Sequence, residues 1–284
     1  MLLATAIGDA YGASFEFAPR EFVEEYNTAD KYVSSPKYFS NHRLGRYTDD
    51  CQQSLAIAEL LLDDVEWTHL NIANKLVEVY KRDPRGGYGK GSYMALSQAT
   101  NGEEFMSLIN GDSDKCGAAM RAMPIGFLPD RHLVLQYAAA QAAVTHRSPG
   151  GVASAIASAF MSHFFIHKVG PKNELCKFLL KGARYDWERP FDKEIVSTNG
   201  IECVHAAVSV VMKSNSLKEV LYHSVAMGGD SDSVCAIAMA AAVYCDEIKR
   251  SIPRPLYNKL ENGTYGRDYL ASLDERLKAK YLKE

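Results

Sequence analysis

The sequence lacks the features that mark several classes of protein. Its six cysteines, Cys51, Cys116, Cys176, Cys203, Cys235 and Cys245, include no CxxC pair, which predicts reduced thiols in an intracellular, cytoplasmic protein. No basic segment precedes the first apolar run, MLLATAI, so no signal peptide is expected. The net charge of −3 and pI of about 6.3 leave no electrostatic footprint for nucleic acid. No linker, low-complexity tract or charge block divides the chain, and strand-like alternation is hard to find. The stretch GVASAIASAFMSHFFIHKV (151–169) has the length of a membrane span. Its serines, two histidines and flanking glycines favour a buried helix instead, and no membrane partner is expected.

What the sequence does have is helical periodicity. With 47% hydrophobic residues in 284, the chain can fill one large core or two small ones. Ile72, Leu76, Val79 and Tyr80 follow the spacing of one buried helix face. Asp50 with Gln53, ahead of LAIAELLL, reads as an N-cap with its reciprocal partner. Alanine-rich runs at 135–144, 151–160 and 235–243 suit close helix packing. Gly and Pro place loops at 84–91, 111–117 and 147–151. The expectation is one compact all-α domain over residues 1–284.

Two acidic clusters carry the chemistry. GRYTDDCQQ (45–53) sets Thr48, Asp49 and Asp50 at the start of a helix. GGDSDS (228–233) sets Asp230, Asp232 and Ser233 before another apolar run. Each cluster alone also reads as carboxylates capping a helix N-terminus. If the two starts meet, four carboxylates share one pocket, and repulsion raises their pKa values unless cations intervene. Oxygen-only donors point to Mg²⁺, Mn²⁺ or Ca²⁺ rather than zinc, and two divalent ions would balance four carboxylates. A second GDSD occurs at 111–114, ahead of Lys115 and CGAAMR.

Other patterns are weaker. GGYGKGS misses the GxxxxGK[ST] spacing of a phosphate loop. His163 and His167 have metal-ligand spacing, but only Phe164, Phe165 and Ile166 lie between them, which favours a structural role. The cysteines read as core residues, with Cys116 within reach of a ligand. Glu16 reads equally as a functional carboxylate or a helix end.

Six motifs in order, GDAYGASFE, GRYTDDCQ, RGGYGKG, CGAAMRAMPIG, THRSP and GGDSDS, resemble those of the ADP-ribosylglycohydrolase family. The likeness spans about residues 4–255 and implies an all-α, orthogonal helix bundle with a binuclear magnesium centre. It implies Thr48, Asp49 and Asp50 as ligands from one side, and Asp230, Asp232 and Ser233 from the other. The cofactors implied are two Mg²⁺, with Mn²⁺ as a substitute. Glu16, Asp49 and Asp50 become candidates for proton transfer. Cys116, Gly117 and Ala118 become a loop holding diphosphate and ribose; His146 and Gly87-Tyr88-Gly89 border the ADP-ribose pocket. Asp112 and Asp114 of the first GDSD take no ligand role and read as a solvated turn.

Cys51, Ser233, Met239 and Ala242 depart from the family's commoner residues, although no carboxylate ligand is lost. The implied reaction is hydrolysis of the glycosidic bond between ADP-ribose and a modified side chain, arginine first because of CGAAMRAM. Serine-linked ADP-ribose and O-acetyl-ADP-ribose are alternatives. So are a non-catalytic, crystallin-like binder of ADP-ribose and a two-metal nucleotide phosphohydrolase. The implied partner is an ADP-ribosylated protein or an ADP-ribose small molecule.

Overall fold

The helix Ser231–Ala242 has every residue buried, and the fold is arranged around it. Its sequence SDSVCAIAMAAA carries small or apolar side chains on all sides, as a helix without a solvent face requires. Leu2–Gly12, Pro149–Ile166, Gly200–Lys213 and Leu217–Ala226 pack directly on it. Asp49–Leu62, buried along its length except at Leu62, lies against Leu2–Gly12 and is flanked by His69–Arg82 and Arg267–Tyr281. This computed structural model describes residues 1–34 and 43–282, and among them there is no β-sheet. Four isolated bridges tie loops together: Asp112 to His146, Lys115 to Asn199, Val196 to Gly229, and Ser216 to Lys249.

Gly8 and Gly12, one turn apart, let Leu2–Gly12 approach Ser231–Ala242 to backbone contact. A Cβ on Gly8 would lie 2.6 Å from the Cys235 carbonyl oxygen, and one on Gly12 would lie 2.5 Å from the Asp232 Cα. Met239 and Ala242, where more glycine was expected, are fully buried in the same helix. The close crossing comes from glycines on the first helix.

Helix starts differ from expectation in two places. Asp50 and Gln53 form no reciprocal cap. Thr48 is the N-cap of Asp49–Leu62, with no side-chain cap bond of its own, and Asp9 from the first helix accepts the Thr48 and Cys51 N–H groups, at 2.9 Å each. Asp274 serves Leu2–Gly12 in the same way, accepting the Leu2 and Leu3 N–H groups at 2.8 and 3.2 Å. The loop expected at 147–151 is already helix from Pro149, because proline at N1 has no N–H to strand and Ser148 accepts from Gly151. Pro149–Ile166 is the one described helix with the length and apolarity to cross a membrane, and 78% of that window is buried inside the protein.

Gly8→Val or Gly12→Val forces a side chain into backbone at this crossing, which costs about 1–3 kcal/mol or more. Gly91→Ala, whose Cβ meets nothing within 4 Å, should leave stability unchanged or raise it by up to about 1 kcal/mol. Thermal denaturation of the three variants checks this; equal melting temperatures would remove the glycine argument.

Candidate metal centre and substrate cleft

Asp9 organises the first acidic cluster. Its buried carboxylate accepts the Thr48 hydroxyl at 2.8 Å as well as the two N–H groups. With those donors satisfied from another helix, Asp49 and Asp50 are not spent on capping. Burial is the main reason that Asp9 is pushed up to about 7, and its hydrogen bonds to Cys51 and Thr48 work against that. Gly87 presses on the neighbouring carboxylate: at φ +101°, its Cβ would lie 2.1 Å from Asp49 Oδ1. The loop carrying Gly87 is anchored by Arg85, whose buried guanidinium stacks 3.5 Å over the Tyr47 ring, bonds the Tyr47 carbonyl and pairs with Asp83 and Glu261.

The second cluster depends on Gly229. Its φ is +75°, and a Cβ there would lie 1.8 Å from the Val196 carbonyl oxygen, so only glycine fits. That close pass pairs 196 with 229 and aims Asp230 inward, its N–H on the Val196 carbonyl at 3.0 Å. The Gly229 carbonyl in turn accepts the Phe17 N–H at 2.8 Å, which fixes the segment carrying Glu16.

The two clusters meet. Asp49, Asp50, Asp230, Asp232, Ser233 and Glu16 line one cleft, and Ser233 lies near enough across the gap to work against the upward push on Asp50. Asp49, Asp50 and Asp232 are held well above the ordinary carboxylate range, first by burial and then by one another's charges and those of Asp9, Asp230 and Glu16. Asp230 is raised by burial too, offset by hydrogen bonds from Asp232, Cys116 and Ser233. Asp50 Oδ1 is buried without a hydrogen-bond partner.

The cleft also gathers Gly87, Tyr88, Gly89, Cys116, Gly117 and His146. Thr48 and Ala118 are the predicted site residues that do not line it; both are buried beside it. The Tyr88 hydroxyl is held by Gln52 at 2.9 Å. In the CGAAM loop the Cys116 N–H goes to Thr198, and those of Ala119 and Met120 go back to Cys116. This leaves Gly117 and Ala118 as the loop's N–H groups without a backbone acceptor among the described residues.

Sequence reasoning missed Asp9 and Arg121. Arg121 is fully buried and bonds the Gln141 side chain and carbonyl, Gln53 and Thr145. Gln53 passes the contact to Asp49 at 3.3 Å, and Thr145 passes it to His146 Nδ1 at 2.7 Å. Thr145 Oγ1 accepts from Arg121 and has its own proton to give to Nδ1, the arrangement in which Nε2 carries the imidazole proton beside Gly117. Burial, with Arg121 and Lys115, drops His146 to about 3, so the ring is neutral and works as a hydrogen-bond donor. A lone arginine inside the apolar run CGAAMRAMPIG was the available signal for Arg121, and the aspartate of GDAYGASFE was the available signal for Asp9.

The weaker patterns are structural. His163 Nδ1 contacts the Leu128 carbonyl at 3.0 Å and His167 Nε2 the Gly126 carbonyl at 3.2 Å. In the first GDSD, Asp112 and Asp114 are exposed. Asp112 pairs with Arg147 at 3.7 Å and Asp114 accepts from Asn199 at 3.0 Å, a solvated turn at the cleft's rim. All six cysteines are free, and only Cys116 is less than buried.

Over residues 1–284 the sequence matches the profile of ADP-ribosylglycohydrolase. The chain belongs to the ADP-ribosylglycohydrolase family. It is a hydrolase of that family, with the all-α fold expected of it. It is 27% identical to an uncharacterized protein of Archaeoglobus fulgidus, over 97% of this chain and 94% of that one. It is 25% identical to ADP-ribosylhydrolase ARH3 of Mus musculus (85% and 80%) and 23% identical to ADP-ribosylarginine hydrolase Tri1 of Serratia proteamaculans (91% and 74%). A solved structure titled ADP-ribosylglycohydrolase-related protein complex shares the fold, with a TM-score of 0.77 at 21% identity over 98% of this chain and 95% of that one.

In this family member, Gly87→Ala must displace Asp49, whereas Gly86→Ala adds a methyl where nothing lies within 4 Å. Gly87→Ala should cut turnover about 100-fold or more, the loss that a 1 Å misplacement at a site brings, and Gly86→Ala should leave it within about twofold. Similar rates for both would sink this account of Gly87.

Proposed function

We propose that the chain hydrolyses the bond between the anomeric carbon of ADP-ribose and a protein side chain, arginine first, with release of ADP-ribose. The carrying observation is the meeting of Asp49, Asp50, Asp230 and Asp232 in one cleft, with Asp50 Oδ1 buried and unpartnered. An all-oxygen donor set with raised carboxyls and an orphaned oxygen fits hard divalent cations. Thr48, Asp49 and Asp50 would hold two Mg²⁺, or Mn²⁺, from one side, and Asp230, Asp232 and Ser233 from the other. The Thr48 proton points to Asp9, so its lone pairs remain for a ligand. When bound, the ions supply positive charge that orients the ribose hydroxyls and polarises the attacking water.

The chain's own groups supply the rest. Glu16 is the half-exposed acid among the carboxylates of the cleft. It can exchange protons with solvent, which suits general acid and base work at the leaving group and the water. Asp49 and Asp50, fully enclosed, fit charge stabilisation of the oxocarbenium-like state. His146 Nε2–H and the Gly117 and Ala118 N–H groups offer donors to the ADP-ribose side of the bond. Arginine as the acceptor is supported by the acidic rim, where Asp112 already takes one guanidinium, that of Arg147, and by relatives named as ADP-ribosylarginine hydrolases.

Mass spectrometry of products from Arg-, Ser- and Thr-linked ADP-ribose and O-acetyl-ADP-ribose tests the linkage; release from serine alone would overturn the arginine choice. Asp50→Ala and Asp232→Ala should abolish hydrolysis and weaken Mg²⁺ binding. The loss should exceed the ~10- to 100-fold that removing a ligand's outer partner costs. Full activity of either variant in chelator-treated buffer contradicts the two-metal reading.

A pH dependence follows from the raised carboxyls. Their folded-state pKa values lie above the unfolded ones, so without metal they keep protons into the range where the unfolded chain has lost them. Cations must displace those protons, so Mg²⁺ stabilises more as pH rises above the ordinary carboxylate range. The increase in melting temperature on adding Mg²⁺ should therefore grow with pH; an increment that shrinks would contradict it.

A further inference from the structure

Beside the oxygen-lined centre lies a second constellation with different chemistry. Cys116 and Cys203 both direct their thiols at the same atom, Asp230 Oδ2, at 3.2 and 3.4 Å. The two sulfurs and the carboxylate oxygen lie within 4.8 Å of one another. They come from three separate elements: the CGAAM loop, the Gly200–Lys213 helix and the segment ahead of Ser231–Ala242. Ser233 Oγ stands 3.2 Å from Cys116 Sγ, and the Cys203 thiol also contacts the Ser197 carbonyl at 3.3 Å. Each of the three offers one ligand atom, which puts the triplet within reach of one ion.

We propose that Cys116, Cys203 and Asp230 form a site for a thiophilic divalent cation of the Zn²⁺ or Cd²⁺ class, and that its occupation inhibits the enzyme by drawing Asp230 away from the oxygen-lined centre. The distances favour it. With bonds of about 2.3 Å to sulfur and 2.1 Å to oxygen in a tetrahedral site, the sulfur–oxygen edges span about 3.6 Å. The contacts to Asp230 are already close to that length, so the sulfur–oxygen edges need open only a few tenths of an ångström. Softness decides the ion, since thiolates select zinc-like cations and Mg²⁺ keeps to oxygen. Entry is through Cys116, which lines the cleft, while Cys203 is buried.

A disulfide between the two thiols is the competing outcome. It needs a thiolate nucleophile: the contact with Cys116, then burial and Asp230, hold the Cys203 thiol up, while Cys116 is lowered by its contact with Cys203 but raised on balance by burial and Asp230. A dication supplies the charge that stabilises two thiolates there. Each thiol loses its proton to solvent as a metal–sulfur bond forms, and nothing is oxidised. Inhibition rests on Asp230 serving the hydrolytic centre as proposed above; cation binding does not.

The test uses the full-length protein, reduced and stripped of metal, titrated with Cd²⁺ while the ultraviolet sulfur-to-cadmium absorption is followed. One equivalent should saturate the band without displacement by excess Mg²⁺. Cys203→Ala and Cys116→Ala should each lower the affinity at least tenfold, and Cys176→Ala, remote from the triplet, should not. A band unchanged in both Cys203→Ala and Cys116→Ala overturns the site. In turnover at saturating Mg²⁺, with each protein compared with its own rate without Zn²⁺, Zn²⁺ should inhibit the unmodified protein at least tenfold more potently than Cys203→Ala. Equal inhibition removes the regulatory half of the proposal. A protein that binds Cd²⁺ as described but releases no ADP-ribose keeps the cation site and rejects the hydrolase reading instead.

Discussion

Asp9 is the carboxylate on which both halves of the site depend. A helix start leaves N–H groups without partners, and the usual remedy is the first acidic or hydroxyl side chain of the helix itself. Here the remedy comes from another helix: Asp9 takes the Thr48 and Cys51 N–H groups and the Thr48 hydroxyl. Hydrogen bonds to a charged group contribute about 1.5–3 kcal/mol each, enough to hold the Asp49–Leu62 start in place. The consequence is chemical, because Asp49 and Asp50, relieved of capping, keep their oxygens for the cleft. Asp9 stands between Gly8 and Gly12 in sequence, so the helix turn that gives the cap also lets Ser231–Ala242 approach to backbone contact. One short stretch thereby sets the spacing of both acidic clusters.

Rigid placement of the carboxylates relies on contacts that leave them no room to turn. Gly87 packs its Cα against Asp49, and Gly229 slides past the Val196 carbonyl. Behind them, Arg121 holds Gln53 on one side and Thr145 on the other, linking Asp49 to His146 through two neutral side chains. A buried guanidinium whose partners are neutral is costly. Its hydrogen bonds offset part of that cost, and its charge acts on Tyr88 and His146 at the cleft. A mechanical and an electrostatic role therefore fall on one residue.

Much of this was legible from the chain, for identifiable reasons. The all-α fold follows from apolar periodicity and alanine-rich runs. The acidic clusters stand out because each is contiguous, and the order of six motifs pointed to the family. The two GDSD copies separate in the structure as expected: the one at 229–232 follows a second glycine and opens a buried helix, and the one at 111–114 is a solvated turn. What escaped was tertiary in origin. Asp9 stands in the quoted GDAYGASFE motif, but its partner lies 39 residues away. The Asp50–Gln53 cap was a sound local reading displaced by that distant carboxylate. Cys203 gave no signal at all, since a cysteine in an apolar helix reads as core until the fold brings Cys116 and Asp230 to it.

Burial makes the ionisation of these acids a collective property. Asp9, Asp49, Asp50, Asp230 and Asp232 are each less than a tenth exposed, and desolvation alone disfavours charge on any one of them. Charging a second raises the cost for the rest, so the metal-free cleft keeps protons at pH values where surface carboxyls have none. Mutual hydrogen bonding relieves only part of this: Asp230 gains from Asp232, Cys116 and Ser233, but Asp50 Oδ1 is left with nothing. A core helix pair that opens onto four carboxyls is thus incomplete on electrostatic grounds, before any reaction is considered. Divalent charge of the kind proposed for this cleft would satisfy the orphaned oxygen and remove the repulsion together, and would tie the stability of the two helix starts to occupation of the site they form.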